Sequence, residues 1–101
     1  MNQIERIERM ERYLNESEQA VKALSDALEQ YEAAQKALKK LSDYYGSTLW
    51  MSDFEADEAG LLPAGLKRGV LSEDGVYDVL SDHYALTVRL LDTVSSILKN
   101  R

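Results

Sequence analysis

Cysteine is absent from this 101-residue sequence. Disulfide bonds, thiolate metal ligands and cysteine nucleophiles are therefore excluded. Long apolar runs are absent too, since no stretch approaches the ~18 apolar residues of a membrane span. The opening residues, MNQIERIERMERYL, are charged at every second or third position and lack the apolar core of a signal peptide. We therefore expect a cytoplasmic protein that does not partner a membrane.

The sequence also lacks an excess of basic residues. Lys and Arg total 12 against 18 Asp and Glu, giving a formal net charge of -6. Residues 1–45 carry 7 basic and 9 acidic side chains, and residues 46–101 carry 5 and 9. A protein that binds duplex nucleic acid neutralises phosphates with clustered Lys and Arg. We therefore expect no nucleic-acid partner.

Helix-breaking residues are few and are confined to the middle of the chain. The five glycines and the single proline all lie between Gly46 and Gly75. With 45% hydrophobic and 30% charged residues, the composition is that of one globular domain. The sequence predicts a single all-α domain over 1–101, made of a long helix over 1–45, a connector with a short helix over 46–71, and a C-terminal helix over 72–101.

Apolar and small residues follow a seven-residue period in the first block. They form three neighbouring columns: Ile7, Leu14, Val21, Leu28, Gln35 and Ser42; Met10, Ser17, Leu24, Tyr31, Leu38 and Tyr45; and Tyr13, Ala20, Ala27, Ala34 and Leu41. Three columns make a stripe broader than a two-stranded coiled-coil seam, so more than one neighbour is expected to pack on this helix. Ion pairs such as Glu18 with Lys22 are expected on its outer face.

The last block has the same helical period. Ser72 is predicted to cap its N-terminus, and Leu71 and Val76 have the spacing of a hydrophobic staple. Ser81 and Asp82 favour caps over helix interiors, which predicts a kink near residues 81–82. The main apolar stripe is Leu80, Tyr84, Thr87, Leu91, Val94 and Leu98, flanked by Val76, His83, Leu90 and Ile97.

The connector contains a second capping pattern. Ser52 and Glu55 form S-x-x-E, which predicts a short helix from about Asp53 to Ala59, ended by Gly60. An earlier start at Ser47 is the alternative.

A patch of aromatic, apolar and acidic residues supplies the candidate functional site: Trp50, Met51, Asp53, Phe54, Glu55, Asp57 and Glu58. In one interpretation Trp50 and Phe54 form a lid over the open end of a helical hairpin. In the other they form an aromatic anchor, rimmed by acids, that docks a second protein. The lid is favoured, because a small domain rarely leaves its only Trp and only Phe exposed.

The acids of this patch begin like an EF-hand loop, but the pattern fails. Glu58 occupies the sixth position, where the loop needs Gly, and Ala64 occupies the twelfth, where a bidentate Glu belongs. No metal site is predicted from this run. The acids are expected instead to favour a helix N-terminus and to pair with Lys67 and Arg68.

The only histidine, His83, has no catalytic constellation around it in the sequence. Motifs such as G-x-S-x-G and H-E-x-x-H are missing. We therefore expect neither an enzyme nor a cofactor. The alternative function is a small-ligand or metal-binding helical protein, in which Asp53, Asp57 and His83 converge with tyrosines in a pocket under the lid.

The lengths of the two long helices predict self-association. The long N-terminal helix should pack antiparallel with the C-terminal helix, but at about 1.5 Å per residue it is about 20 Å longer. Its uncovered end would expose Ile4, Ile7, Met10 and Leu14, and exposed apolar surface of this kind marks an interface. The expectation is a dimeric helical bundle, a homodimeric interaction or regulatory module with a further protein as a possible partner.

The central segment also resembles a known family. Residues 43–82, which include YYGSTLWMSDFEADEAGLLPAGLKRGVLSEDGVYDVLSD, are similar to the small bacterial proteins catalogued as domain of unknown function 4298. The resemblance implies a bacterial, cytoplasmic, stand-alone small protein, and it supplies no activity, cofactor or catalytic residue. Gly75 departs from what a helix start favours, because glycine weakens a helix by up to about 1 kcal/mol.

Overall fold

The chain folds into helices joined by short turns, as seen in a computed structural model that describes residues 2–101. Its helices are α1 (Gln3–Tyr44), α2 (Thr48–Glu58) and α3 (Gly75–Lys99), and a 3-10 turn spans Gly69–Leu71. These described residues contain no strand. The all-α prediction is therefore confirmed. The chain divides into two compact units, one ending at Lys36 and the other spanning Ala37–Arg101.

A side-chain cap fixes the start of the long helix α1, and a glycine fixes its end. The side-chain Oδ1 of Asn2 accepts a hydrogen bond from the backbone N–H of Glu5 at 2.8 Å, which satisfies one of the free donors of the first turn. The helix ends before Gly46, whose φ of +78° lies in the left-handed region that favours glycine. The predicted helix over 1–45 therefore agrees closely with the structure.

The short helix α2 begins at the alternative position, not at the predicted one. Ser47 is the N-cap, and its Oγ accepts a hydrogen bond from the backbone N–H of Trp50 at 3.2 Å. Ser52 lies inside the helix, so a start at Asp53 is wrong. The C-terminus follows the prediction, because Gly60 has φ +71° and the N–H of Leu61 bonds to the carbonyl of Ala56, as in a Schellman motif.

Helix α3 starts three residues later than predicted. Ser72 closes the 3-10 turn, and its Oγ accepts a hydrogen bond from the N–H of Gly75 at 3.0 Å. The serine therefore serves the first turn of α3 from a position outside it. The helix continues without interruption through Ser81 and Asp82, so those two residues do not break it.

Very little of the chain is buried. Among residues 2–101 only Leu71 and Val76, the two residues of the predicted staple, are buried. Around them the half-buried apolar residues include Leu38, Leu41, Tyr45, Trp50, Phe54, Leu62 and Leu80. The interior is thus concentrated where α2, the 3-10 turn and the start of α3 meet.

The inward face of α3 differs from the predicted stripe. Val76 is buried, and Leu80 and His83 are half-buried. Tyr84 and Leu91, two members of the predicted main stripe, are 73% and 69% exposed. Of the flanking column only Val76 and His83 are not exposed, and of the main stripe only Leu80. The inward face of α3 therefore lies between the two predicted columns and is confined to the first half of the helix.

The ion pairs of α1 run in the opposite order to the predicted ones. Lys22 pairs with Asp26 at 3.1 Å and Lys39 with Asp43 at 3.2 Å, in each case with the acid four residues later. The predicted pair of Glu18 with Lys22 is therefore wrong. Because these side chains are largely exposed, each pair contributes at most about 0.5 kcal/mol.

Two larger features of the predicted architecture stay predictions. One is the antiparallel packing of the long N-terminal helix with the C-terminal helix. The other is the dimeric bundle. Within residues 2–101, no helix has the length and apolar character to cross a bilayer.

Candidate functional site

Trp50 is the centre of the connector. Its ring stacks on that of Phe54 with centroids 5.2 Å apart and packs edge-on against that of Tyr45 at 5.3 Å. Its indole Nε1–H donates a hydrogen bond to the carbonyl oxygen of Val70 at 2.9 Å, twenty residues along the chain. Aromatic pairs of this geometry add about 0.5–1.5 kcal/mol beyond area burial. Trp50 therefore fastens α2 to both the end of α1 and the 3-10 turn.

Asp53 accepts a hydrogen bond from a tyrosine at the end of α1. The Tyr44 hydroxyl donates a hydrogen bond to Asp53 Oδ2 at 2.6 Å. Because the proton is shared with a carboxylate, the pKa of Tyr44 is raised above its ordinary value. Asp53 is therefore a tether between α1 and α2, and its carboxylate is not directed at a ligand.

Asp57 forms the least exposed ion pair of the described residues. The Arg68 guanidinium donates to Asp57 Oδ1 at 2.9 Å, with the two side chains 37% and 24% exposed. The expected pairing of connector acids with Arg68 is therefore confirmed for Asp57. The pair ties the end of α2 to the residue just before the 3-10 turn.

The other predicted site residues point away from this cluster. Met51, Glu55 and Glu58 are exposed on α2. Leu49 and Leu61, which the sequence did not single out, are 72% and 76% exposed beside them. The predicted patch is therefore split: its aromatic residues and two of its acids build the connector, and the rest forms a surface.

The side chains of the alternative ligand-binding prediction, Asp53, Asp57 and His83, do not line the hollow found beside the connector. An open hollow of about 440 Å³ lies beside the 3-10 turn, and its lining is Leu41, Lys67, Gly69, Val70, Gly75, Val76 and Val79. Neither a carboxylate nor His83 contributes to that lining. Within residues 2–101 no group of three or more His, Asp or Glu side chains is placed to hold a metal ion.

The predicted dimer residues are all exposed. Ile4, Ile7, Met10 and Leu14 lie at the start of α1, with Leu14 52% exposed. The predicted interface ended at Leu14, but the exposed apolar surface is longer. It continues along the same helix through Val21, Leu24 and Leu28.

Several residues that build the connector were missed by the sequence reasoning. Tyr45 was counted only as a stripe residue and Tyr44 was given no role, although aromatics beside a helix-ending glycine are a usable signal for a chain reversal. Val70 contributes only its carbonyl oxygen, so its side-chain type carried no signal.

Comparison with protein families gives a match over most of the chain. The family model described as Domain of unknown function (DUF4298) matches residues 7–93. The chain belongs to this family. The matched range includes all of α2, the 3-10 turn and the ion pair of Asp57 with Arg68, so the connector lies wholly inside the DUF4298 domain. Comparisons with curated proteins and with solved structures found no match.

Proposed function

We propose that this DUF4298 protein is a homodimeric interaction module, which acts by binding and has no catalytic role of its own. The observation that carries the proposal is the exposed apolar stripe of α1. From Ile4 to Leu28 every large apolar side chain of the helix is exposed, and Val21 reaches 70%. Exposed apolar surface of this extent marks an interface.

The composition of α1 changes where its exposure changes. The column through Ile7, Leu14, Val21 and Leu28 is apolar, but its next members are Gln35 and Ser42. Half-burial in the single chain begins at Tyr31 and recurs at Leu38 and Leu41. The column is therefore apolar only in the part of α1 that has no neighbour in the single chain. A second copy of the chain would cover these apolar side chains.

The exposed side of α2 is the place for a further protein partner. Met51 and Leu49 are apolar, Glu55 and Glu58 are acidic, and all four are exposed. A basic amphipathic segment would complement this surface. Trp50 and Phe54 are not its anchors, because they pack on each other within the connector.

Sedimentation analysis of the full chain, from about 1 to 100 μM, tests the proposal. The wild type should be a dimer at the upper end of this range. Ile7→Glu with Leu14→Glu places two carboxylates in the stripe and should weaken association by about 100-fold or more, because buried charge is costly.

The matched control replaces two equally large exposed leucines outside the stripe. Leu61 and Leu66 lie in the connector and are 76% and 50% exposed. Leu61→Glu with Leu66→Glu should leave the dimer intact. A wild type that stays monomeric at 100 μM would rule out the proposal, and so would equal effects of the two double variants.

A further inference from the structure

Asp74 and Gly75 form the only Asp-Gly pair of the sequence, and they lie between Leu71 and Val76, which are both buried. An Asp-Gly bond is chemically labile, because the backbone nitrogen of the glycine can attack the side-chain carboxyl of the aspartate. We propose that Asp74 is a site of spontaneous isomerisation to isoaspartate, and that the folded first turn of α3 suppresses this reaction.

The reaction needs no partner other than water. The Gly75 nitrogen bonds to Asp74 Cγ, a water molecule formed from the carboxyl oxygen and the amide proton leaves, and a succinimide ring remains. Water then opens the ring at one of its two carbonyl carbons. Opening at the original backbone carbonyl leaves the chain running through Asp74 Cβ and Cγ, which is isoaspartate, and opening at the other carbon restores aspartate. The water released in the first step is taken up in the second, and no oxidant or reductant is required.

The packing of the 3-10 turn keeps the reactive glycine in place. A Cβ at Gly75 would lie 2.6 Å from the carbonyl oxygen of Gly69 and 2.6 Å from Ser72 Oγ. A bulkier residue, which would hinder the attack, therefore does not fit without overpacking. The Asp74 side chain is exposed and makes no capping hydrogen bond to α3. Its carboxyl group is therefore not held away from the Gly75 nitrogen by a cap.

The folded backbone opposes ring closure through two hydrogen bonds. The attacking nitrogen of Gly75 donates its N–H to Ser72 Oγ at 3.0 Å. Closure also requires the Cβ of Asp74 to lie in the plane of the peptide bond that follows, and a ψ of -22° holds it far out of that plane. Rotating ψ moves the Asp74 carbonyl oxygen away from the N–H of Asp78, which donates to it at 2.8 Å. Ring closure therefore has to break both hydrogen bonds and open the first turn of α3.

Isomerisation would act directly on the interior of the molecule. Isoaspartate adds a methylene group to the main chain between Leu71 and Val76, which are 6% and 2% exposed. The lengthened backbone can no longer keep both side chains buried and also keep the hydrogen bond from Gly75 to Ser72. The modified chain should therefore melt at a lower temperature than the unmodified one.

Ageing of the full chain at one fixed concentration, in buffer and in guanidinium chloride that unfolds it, tests the site. After digestion with trypsin, residues 69–89 form one peptide that carries Asp74, Asp78 and Asp82. Chromatography with electron-transfer mass spectrometry locates isoaspartate within this peptide. Isoaspartate should form at Asp74 ahead of the other two aspartates. It should form about 30-fold faster in the unfolded chain, because two hydrogen bonds no longer oppose ring closure.

Ser72→Ala tests the contribution of one of these hydrogen bonds. The variant removes the acceptor of the Gly75 N–H, so isomerisation in buffer should be about fivefold faster than in wild type, with an unchanged rate in guanidinium chloride. Ser52→Ala makes the same replacement inside α2 and should age like wild type. Circular dichroism reports whether each variant is folded. An unfolded Ser72→Ala should isomerise in buffer as fast as it does in guanidinium chloride, which supports the same suppression by folding.

An unfolded chain that forms no isoaspartate at Asp74 would overturn the site. Equal rates in buffer and in guanidinium chloride, or a folded Ser72→Ala that ages no faster than wild type, would overturn its suppression by the first turn of α3. Modified chain separated by chromatography that melts like the unmodified chain would overturn the effect on Leu71 and Val76.

Discussion

At the scale of single residues, Gly75 has the least space of the glycines described. A Cβ built at this position lies 2.6 Å from the carbonyl oxygen of Gly69 and 2.6 Å from Ser72 Oγ. The carbonyl belongs to the backbone of the 3-10 turn, whose end is fixed by Ser72. The glycine that sequence rules penalise at a helix start is therefore required by close packing.

Replacing Gly75 by alanine should destabilise the protein by about 1–2 kcal/mol. The steric cost of overpacking, about 1–3 kcal/mol, outweighs the gain of up to about 1 kcal/mol in helix propensity. Urea unfolding at one fixed protein concentration measures the change. Gly65→Ala is the control, because nothing lies within 4 Å of a Cβ there. If the two alanine variants were equally stable, the close approach at Gly75 would be unimportant.

Residue types identified the connector, and geometry assigned the roles within it. The only Trp and only Phe were expected to pack together, and they stack. Which acids would be tethered could not be predicted, because that depends on where Tyr44 and Arg68 come to lie. The acids of the patch are chemically alike, and they differ only in which side chains lie near them in the folded chain. These acids are Asp53, Glu55, Asp57 and Glu58.

At the scale of the elements, either of two serines could cap the N-terminus of α2. Both precede plausible helical residues, and Ser52 has the stronger pattern because Glu55 follows it. The structure uses Ser47, which makes α2 long enough to include Trp50. Because the indole must reach the Val70 carbonyl, a tertiary contact selects the earlier start.

This choice can be measured with one pair of variants. Ser47→Ala removes the acceptor for the Trp50 N–H and should cost about 1 kcal/mol. Ser52→Ala lies inside the helix and should be neutral or stabilising by up to about 0.5 kcal/mol. Thermal unfolding followed by circular dichroism gives both values. The reverse order would place the cap at Ser52, contrary to the structure.

The inward face of α3 shows the same limit of sequence patterns. Apolar residues surround much of this helix, so its period predicts a helix without fixing its rotation. The staple of Leu71 and Val76 is buried and fixes that rotation from its first turn. Leu80 and His83 follow Val76 on the same side, which leaves Tyr84 and Leu91 exposed.

At the scale of the whole molecule, folding and association are expected to be coupled. Two buried residues are a very small interior for a chain of 101 residues, and small domains have little stability to spare. The melting temperature should therefore rise with protein concentration. For a folded dimer of this size we expect about 3–5 °C per tenfold increase in concentration.

Differential scanning calorimetry at about 5, 50 and 500 μM measures this dependence. The double variant Ile7→Glu with Leu14→Glu, which places two carboxylates in the apolar stripe of α1, should melt at a lower temperature than wild type at each concentration. A melting temperature independent of concentration would show that one chain holds its own fold.

The sequence by itself determined the helical class, the three-part order of the chain and the two glycines that end α1 and α2, because helix period, breakers and left-handed conformations are local properties. It also placed the chain in the DUF4298 family through the connector. Tertiary structure alone decided which serine caps α2, which face of α3 turns inward, which acids are tethered, and why Gly75 must be glycine. These depend on distances between residues far apart in the chain, which residue types and spacing do not encode.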